Sequence, residues 1–184
     1  DYVTPNTLLD DGDLDANYFQ HIPYLEDFVE KEGVDLVHLG GVHIEPMALY
    51  SNKVDSLDDL EDGAEIAIPN DSSNGGRALL LLQDNGLIKL DEAVGILATE
   101  RDIIENPKNL KFTALEAALI PRALDDVDAA LINTNFALES GLNPTEDGII
   151  IEDANSPYIN IVAVRKGEEN QERFKKLLEA LQSD

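Results

Sequence analysis

The chain has 184 residues, and 38 aspartates and glutamates against 13 lysines and arginines give it a formal net charge of −25. A surface of that charge repels phosphates and anionic lipid headgroups, so binding to nucleic acid or to a membrane through a basic patch is excluded. Because 43% of the residues are hydrophobic, the acidity does not indicate disorder. It is typical either of a strongly hydrated surface or of adaptation to high salt.

Short apolar strands alternate with amphipathic helices, which is typical of an α/β fold with a largely parallel sheet. The predicted strands are 16–19, 36–39, 42–50, 64–69, 110–113, 128–132 and 158–164. Gly40 and Gly41 are expected to separate the second of these strands from the third. The predicted helices are 23–31, 77–85, 102–106, 121–124, 133–141 and 169–181, with a loop at 70–76. In the last helix, the expected inward-facing residues are Phe174, Leu177, Leu178 and Leu181.

The extended segments 42–50 and 158–164 enclose a self-contained α/β stretch. This arrangement predicts two lobes joined by two crossover strands, with a hinge between them. A ligand is then expected in the cleft between the lobes, where strand ends and helix N-termini converge. No apolar run reaches the roughly 18 residues that a membrane span needs, and no signal peptide is visible at the start.

The segment 68–77 runs from a strand through a loop rich in serine, asparagine and glycine into a helix. Free backbone N–H groups at such a helix start favour an anion. Arg77 adds a guanidinium that can bind a carboxylate through two hydrogen bonds. The alternative is an ordinary capped helix with an arginine on its surface.

Aromatic residues cluster at 17–24 in a chain that contains only 5% of them. Phe19 and Tyr24 can wall an apolar pocket, with His21 as a polar group between them. The alternative is that this junction of a strand and a helix belongs to the core.

Two asparagines are candidates for ligand binding. Asn133 follows a strand and precedes a helix, where it fits either an ordinary N-cap or a ligand contact. Asn160 lies within a predicted strand, where asparagine is rare, so its amide needs a hydrogen-bond partner and a ligand is one candidate.

Catalysis and metal binding have little support in the sequence, and no cofactor is expected. The chain has no cysteine, which excludes disulfides, zinc-thiolate sites and thiol nucleophiles. It contains neither a nucleophile-elbow motif nor a histidine pair at zinc-binding spacing. The alternating Asp11, Asp13, Asp15 and Asn17 resemble the start of a calcium loop, but Ala16 and Ile22 replace the glycine and the glutamate that the loop requires.

Five long motifs together resemble the methionine-binding lipoproteins of the NlpA type, which are substrate-binding components of ABC importers. The motifs lie at 6–21, 42–51, 68–82, 121–130 and 156–160, and the resemblance covers nearly the whole chain in order. It implies the type II fold of periplasmic binding proteins. By this resemblance, lobe one is 1–46 plus 157–184, and lobe two is 47–156.

The resemblance also implies a binding site. Phe19, His21 and Tyr24 match the aromatic side that holds the methionine side chain, and Tyr2 matches a tyrosine that lines the pocket. Arg77 matches the arginine that binds the ligand carboxylate. The amides that hold the head group are matched by Asn133 and Asn160, and Glu45 is a further candidate for the ammonium group.

The implied function is that of an extracytoplasmic, non-enzymatic protein that binds L-methionine without a cofactor and delivers it to a permease with its ATPase. It would be at the cell surface or in the periplasm, attached to the membrane only through a lipid anchor. The alternatives are a methionine-containing dipeptide or another amino acid as ligand, an enzyme on the same scaffold, and a sensor or adhesion domain without transport.

The sequence departs from the family pattern in two places. Family members have a signal peptide, a lipid-modified cysteine and a further strand and helix before the segment that matches Asp1. Lobe one is therefore expected to be incomplete, unless further residues precede Asp1 or another chain fills the gap. In addition, Thr134 replaces a glycine that is common in the family, which is expected to alter the edge of the pocket.

Overall fold

The computed structural model describes residues 1–153 and 156–183, and the contacts within it divide the chain into two compact units. Unit 1 comprises Asp1–Glu45 and Asn155–Asp184, and unit 2 comprises Pro46–Ala154. The strands are β1 (Asn17–His21), β2 (Leu36–Ile44), β3 (Ala48–Tyr50), β4 (Glu65–Pro69), β5 (Lys89–Leu90), β6 (Ile103–Glu105), β7 (Lys111–Leu115), β8 (Ala129–Ile132), β9 (Ile150–Ile151) and β10 (Ile159–Arg165). The helices are α1 (Thr4–Asp11), α2 (Ile22–Glu32), α3 (Ser72–Asp84), α4 (Ile120–Ala123), α5 (Thr134–Glu139) and α6 (Glu172–Leu181).

Unit 1 is built on a three-stranded sheet in the order β1-β10-β2. The central strand β10 is rich in β-branched residues, and its middle residues are completely buried. Such side chains pack well on a pleated surface. Leu9 of α1, Leu25 of α2 and Leu36 of β2 complete this core, so both helices are held by apolar burial against the sheet.

Both strand pairs of unit 1 are antiparallel, which corrects the expectation of a largely parallel sheet for this part of the chain. The reason lies in the path of the chain. Strand β2 leads out of unit 1 toward unit 2, whereas β10 follows the return of the chain into unit 1. Hydrophobic patterning places residues on a face of a sheet, but it does not specify the direction of a strand.

The two glycines expected to interrupt a strand lie inside β2. A Cβ at Gly40 would lie 3.1 Å from Leu178 Cδ2 of α6, and a Cβ at Gly41 would lie 2.6 Å from Ile159 Cγ2 of β10. Both glycines therefore permit close packing and do not end the strand. The predicted break was wrong, and the extended segment 42–50 is divided instead at residues 45–47.

Unit 2 contains a five-stranded sheet in the order β7-β4-β8-β3-β9. Its first three strands are parallel, and β3 is antiparallel to both of its neighbours. The apolar side of α3, which includes Ala78, Leu79 and Leu82, packs into the same core cluster as Ile66 of β4 and Leu131 of β8. The core thus fixes α3 relative to the carboxyl ends of β4 and β8, where the candidate residues of unit 2 lie.

The prediction of a helix at 102–106 was wrong. A 3₁₀ turn at Glu100–Asp102 is followed by β6, which pairs with β5. Asp102 accepts hydrogen bonds from both the N–H and the hydroxyl of Thr99, which closes a capping box around the short turn. The β-branched Ile103 and Ile104 then favour extended backbone.

The ends of the chain also differ from expectation. Helix α1 was not predicted, and the Asp1 carboxylate accepts hydrogen bonds from the N–H groups of Val3 and Thr4 at its start. Helix α6 begins at Glu172, three residues later than expected, and of its predicted inward-facing residues only Phe174 is fully buried. Within the described residues, no helix is long and apolar enough to cross a membrane.

Candidate functional site

The candidate residues of unit 2 lie at one edge of its sheet. Strands β4 and β8 are parallel neighbours, so their carboxyl ends lie side by side. Asp71 follows the end of β4 by two residues, and Asn133 follows β8 directly. Helices α3 and α5 begin immediately afterwards. This is the edge at which ligands bind in sheets of this kind.

Helix α3 begins at Ser72, which corrects the prediction of a loop at 70–76 with Arg77 at the helix start. Asp71 is the N-cap, and its Oδ1 accepts a hydrogen bond of 2.9 Å from the Asn74 N–H. This carboxylate occupies the helix N-terminus that the sequence predicted as open to an anion. The glycines serve close packing, because a Cβ at Gly76 would lie 2.3 Å from the Ile96 carbonyl oxygen.

Arg77 lies in the second turn of α3, and its side chain is 3% exposed. Its Nε donates to the two carboxylate oxygens of Glu152 at 3.0 and 3.2 Å, and its Nη2 donates to Glu152 Oε2. Glu152 follows β9, and its side chain is 12% exposed. The carboxylate balances the guanidinium charge and fixes the plane of the guanidinium, as a two-point ion pair does.

Asn133 is joined to α3 through Asn74. Its Nδ2 donates to Asn74 Oδ1 at 2.8 Å, and Asn74 Nδ2 donates to the Asp71 carboxylate. Asn133 occupies the N-cap position of α5, but its side chain does not cap that helix. Among the described residues, the buried Oδ1 of Asn133 has no hydrogen-bond partner. A buried acceptor of this kind favours an incoming donor such as an ammonium group.

Unit 1 contains an aromatic set formed by Tyr2, Phe19, His21, Tyr24 and Tyr158. The ring centroid of Tyr2 lies 6.0 Å from the ring centroid of Phe19 and 5.8 Å from that of Tyr24. Phe19 and Tyr24 are 6.1 Å apart, and His21 lies 5.0 Å from Tyr158. The tilted and edge-on geometries are those that aromatic pairs favour. The strand β1 and the first turn of α2 thus bring the predicted aromatic residues together.

His21 ends β1 and is the N-cap of α2. Its Nδ1 accepts a hydrogen bond of 3.2 Å from the Tyr24 N–H. The neutral ring therefore carries its proton on Nε2, because the nitrogen that accepts cannot also be protonated. His21 is 5% exposed, so this polar group is buried.

Asn160 lies in β10, opposite His21 of β1 and His43 of β2 in the two strand registers. The residue is buried, so its side-chain amide needs a hydrogen-bond partner. A buried amide in the middle of a sheet usually has such a partner. The structure therefore keeps Asn160 as a candidate for contact with a ligand.

Of the predicted residues, unit 1 brings together Tyr2, Phe19, His21, Tyr24 and Asn160. In unit 2, Asn133 is bonded to Asn74, which lies one helical turn before Arg77. Three residues of these sets were not predicted. Asn74 was detectable, because it lies one helical turn before Arg77. Tyr158 and Glu152 had no local signal that would distinguish them from their neighbours.

The remaining polar candidates have other partners. Asp15, part of the calcium-like pattern, forms a salt bridge of 3.0 Å with Arg173. Asn17 donates to Asn6 Oδ1 in a buried amide network. Glu45 lies 2.9 Å from His43 Nε2. Thr134 donates its hydroxyl to the Pro46 carbonyl oxygen. In the part of the chain that the structure describes, no group of three His, Cys, Asp or Glu side chains can hold a metal ion.

The chain is similar to known binding proteins. The family described as NlpA lipoprotein matches residues 1–184. The D-methionine-binding lipoprotein MetQ of Salmonella typhimurium is 52% identical over 186 residues, which are 100% of this chain and 69% of the relative. A periplasmic substrate-binding protein of an ABC transporter from Coxiella burnetii has a TM-score of 0.97 at 50% identity. The match covers 100% of this chain and 77% of the Coxiella chain. A nutrient-binding protein from Burkholderia cenocepacia, solved with bound methionine, has a TM-score of 0.96 at 53% identity with the same coverage.

Proposed function

The chain belongs to the NlpA lipoprotein family, and from this premise we propose that it is the methionine-binding component of an ABC importer. Membership confirms the resemblance found in the sequence. The structural similarity confirms the α/β fold of periplasmic substrate-binding proteins. The relatives are binding proteins, so the prediction of a binding protein and not an enzyme is also confirmed.

The proposal rests on one observation: unit 2 contains a group suited to a negative charge and, near it, a group suited to a positive charge. The Arg77 guanidinium is suited to a carboxylate. The orphan Oδ1 of Asn133 is suited to an ammonium donor. Asn74 bonds to Asn133 and lies one turn before Arg77 on α3. A carboxylate and an ammonium group a few ångströms apart are the head group of an α-amino acid.

The aromatic set is assigned to the ligand side chain. A methionine thioether is apolar and polarisable, and it gains from contact with aromatic rings. Phe19, Tyr24 and Tyr2 provide such rings. His21 provides a polar N–H among them, and Asn160 a further amide. The roles of these seven predicted residues are proposals that rest on their burial, their mutual contacts and the family.

We also propose that the chain delivers methionine to a permease with its ATPase. It is supported by the relative named as the substrate-binding protein of an ABC transporter. The lipoprotein names of the family support an extracytoplasmic position with a lipid anchor on the full-length protein.

Titration calorimetry with L-methionine and D-methionine tests the proposal directly. The sequence resemblance led to the L enantiomer, whereas the curated relatives are named for the D enantiomer. At least one enantiomer is expected to bind with a 1:1 stoichiometry. Mass spectrometry of ligand released from the denatured protein would identify a dipeptide or a different amino acid. If neither enantiomer binds to folded protein, the proposal is wrong.

A further inference from the structure

The ion pair between Arg77 and Glu152 is balanced in charge by the protein itself. Both side chains are largely buried. An isolated buried guanidinium would attract any carboxylate strongly, because an unpaired buried charge is costly. At Arg77 one carboxylate already balances that charge, so a second carboxylate brings one negative charge in excess.

Glu152 is held in place from a second direction. Its Oε2 accepts a hydrogen bond of 3.2 Å from the Met47 N–H. Its own N–H donates to the Met47 carbonyl oxygen at 2.9 Å. These bonds fix both the backbone and the carboxylate of Glu152 beside the start of β3. The carboxylate is therefore a permanent part of the surroundings of Arg77.

We propose that Glu152 is a specificity-determining residue that makes this site select zwitterions. This inference rests on the proposed function, which places an amino-acid carboxylate on Arg77. With Glu152 present, the charges of Arg77, Glu152 and a carboxylate-bearing ligand sum to zero only when that ligand also carries an ammonium group. A free α-amino acid satisfies this condition, and the corresponding deaminated acid does not.

The test compares methionine, as its tighter-binding enantiomer, with 4-(methylthio)butanoate, the same molecule without its amino group. Calorimetry gives the ratio of the two affinities for the wild type and for Glu152→Gln. Glutamine keeps the shape and an acceptor oxygen for Arg77 and Met47, but removes the charge. The preference for methionine is expected to fall by about tenfold or more, as removal of one charge from a buried cluster predicts. An unchanged ratio would overturn the inference.

Glu105→Gln is the matched control, because it removes one negative charge from an exposed pair with Lys89 in the same unit. Its affinity ratio is expected to equal that of the wild type. Asn133→Ala is a second variant, which keeps the inference testable if Glu152→Gln does not fold. It removes the other group suited to the ammonium. A methionine preference above about tenfold should remain in Asn133→Ala, because the charge balance at Glu152 remains.

Loss of the preference in Asn133→Ala would assign ammonium selection to the asparagine and overturn the role of Glu152. The proposed function fails separately. If folded wild type binds neither enantiomer of methionine, the function is wrong and this inference falls with it. If methionine binds but the ratio does not respond to Glu152→Gln, only the inference fails.

Discussion

The candidate residues of the two units are held by different forces. In unit 1, the aromatic set consists of rings in tilted and edge-on contact, most of them supplied by β1 and the start of α2. In unit 2, the polar set consists of one ion pair and a chain of amides that connects α3, α5 and the segment after β9. Apolar packing tolerates substitutions that conserve volume, whereas a buried charged pair does not tolerate the loss of a partner.

This difference suggests a division of labour. The polar set of unit 2 requires defined atoms in a defined geometry, so it is suited to the constant head group of an amino acid. The aromatic set of unit 1 offers surface without strong directionality, so it is suited to a side chain. Substitutions in unit 2 should therefore cost more binding free energy than conservative substitutions in unit 1.

Arg77→Ala should have the largest effect. We expect a loss of about 2–5 kcal/mol in methionine binding, because the ligand carboxylate loses its partner and Glu152 is left buried without its guanidinium. Calorimetry measures the affinity, and a thermal melt measures the accompanying loss of stability. Arg77→Lys is the comparison that retains the charge without the planar fork. If folded Arg77→Ala bound methionine with wild-type affinity, the assignment of the ligand carboxylate to Arg77 would be wrong.

Asn133→Ala should have the next largest effect. We expect a loss of about 1–3 kcal/mol in methionine binding, since the ligand ammonium loses a buried acceptor and Asn74 loses a donor. The control is Asn52→Ala, which removes an exposed amide bonded to Asp125 in the same unit. An equal loss in both variants would show that the effect is not specific to the candidate site.

Phe19→Leu should have a smaller effect, about 0.5–1.5 kcal/mol on methionine binding, because it keeps an apolar side chain but removes the ring. Tyr18→Leu is a close control, since Tyr18 is the neighbouring residue on β1. Its ring contacts His43 instead of the aromatic set. A loss in Phe19→Leu that exceeds the loss in Asn133→Ala would reverse the comparison between the units.

Asp128→Asn should have the smallest effect, and this effect concerns the stability of unit 2. A hydrogen bond from the Glu65 N–H, followed by Lys53, lowers the pKa of Asp128 below its ordinary value of 3.8. Stabilisation by the ionised form is therefore complete above that value, and it is lost as the pH falls through the lowered pKa. The side chain is partly exposed, so the effect is small.

Urea unfolding of the wild type and of Asp128→Asn as a function of pH checks this expectation. The difference in unfolding free energy should be largest at neutral pH and should shrink as the solution becomes strongly acidic. Asp125→Asn is a comparison at a nearby exposed carboxylate. A difference that grows toward low pH would contradict the assigned sign.

The fold could be predicted where the signals are local. The strand at 64–69 and the helix at 23–31 were confirmed to within a few residues as β4 and α2, because alternation of apolar residues and a proline in the first turn act over short distances. The Asp71 cap is also local, but a capped helix was only the alternative prediction, because the serines, asparagines and glycines of 70–76 favoured a loop. The directions of β2 and β10 could not be predicted, since they depend on the path of the whole chain.

The sequence by itself determined the family, the acidic surface and the grouping of Phe19, His21 and Tyr24, because these depend on composition, on long motifs and on neighbours along the chain. Only the tertiary structure decided that Arg77 is paired with Glu152, 75 residues away, and that Asn133 is bonded to Asn74, 59 residues away. Such contacts arise when sheet order and helix packing bring distant segments together. Local patterns of hydrophobicity and capping contain no information about which distant side chain will become the partner of a given residue.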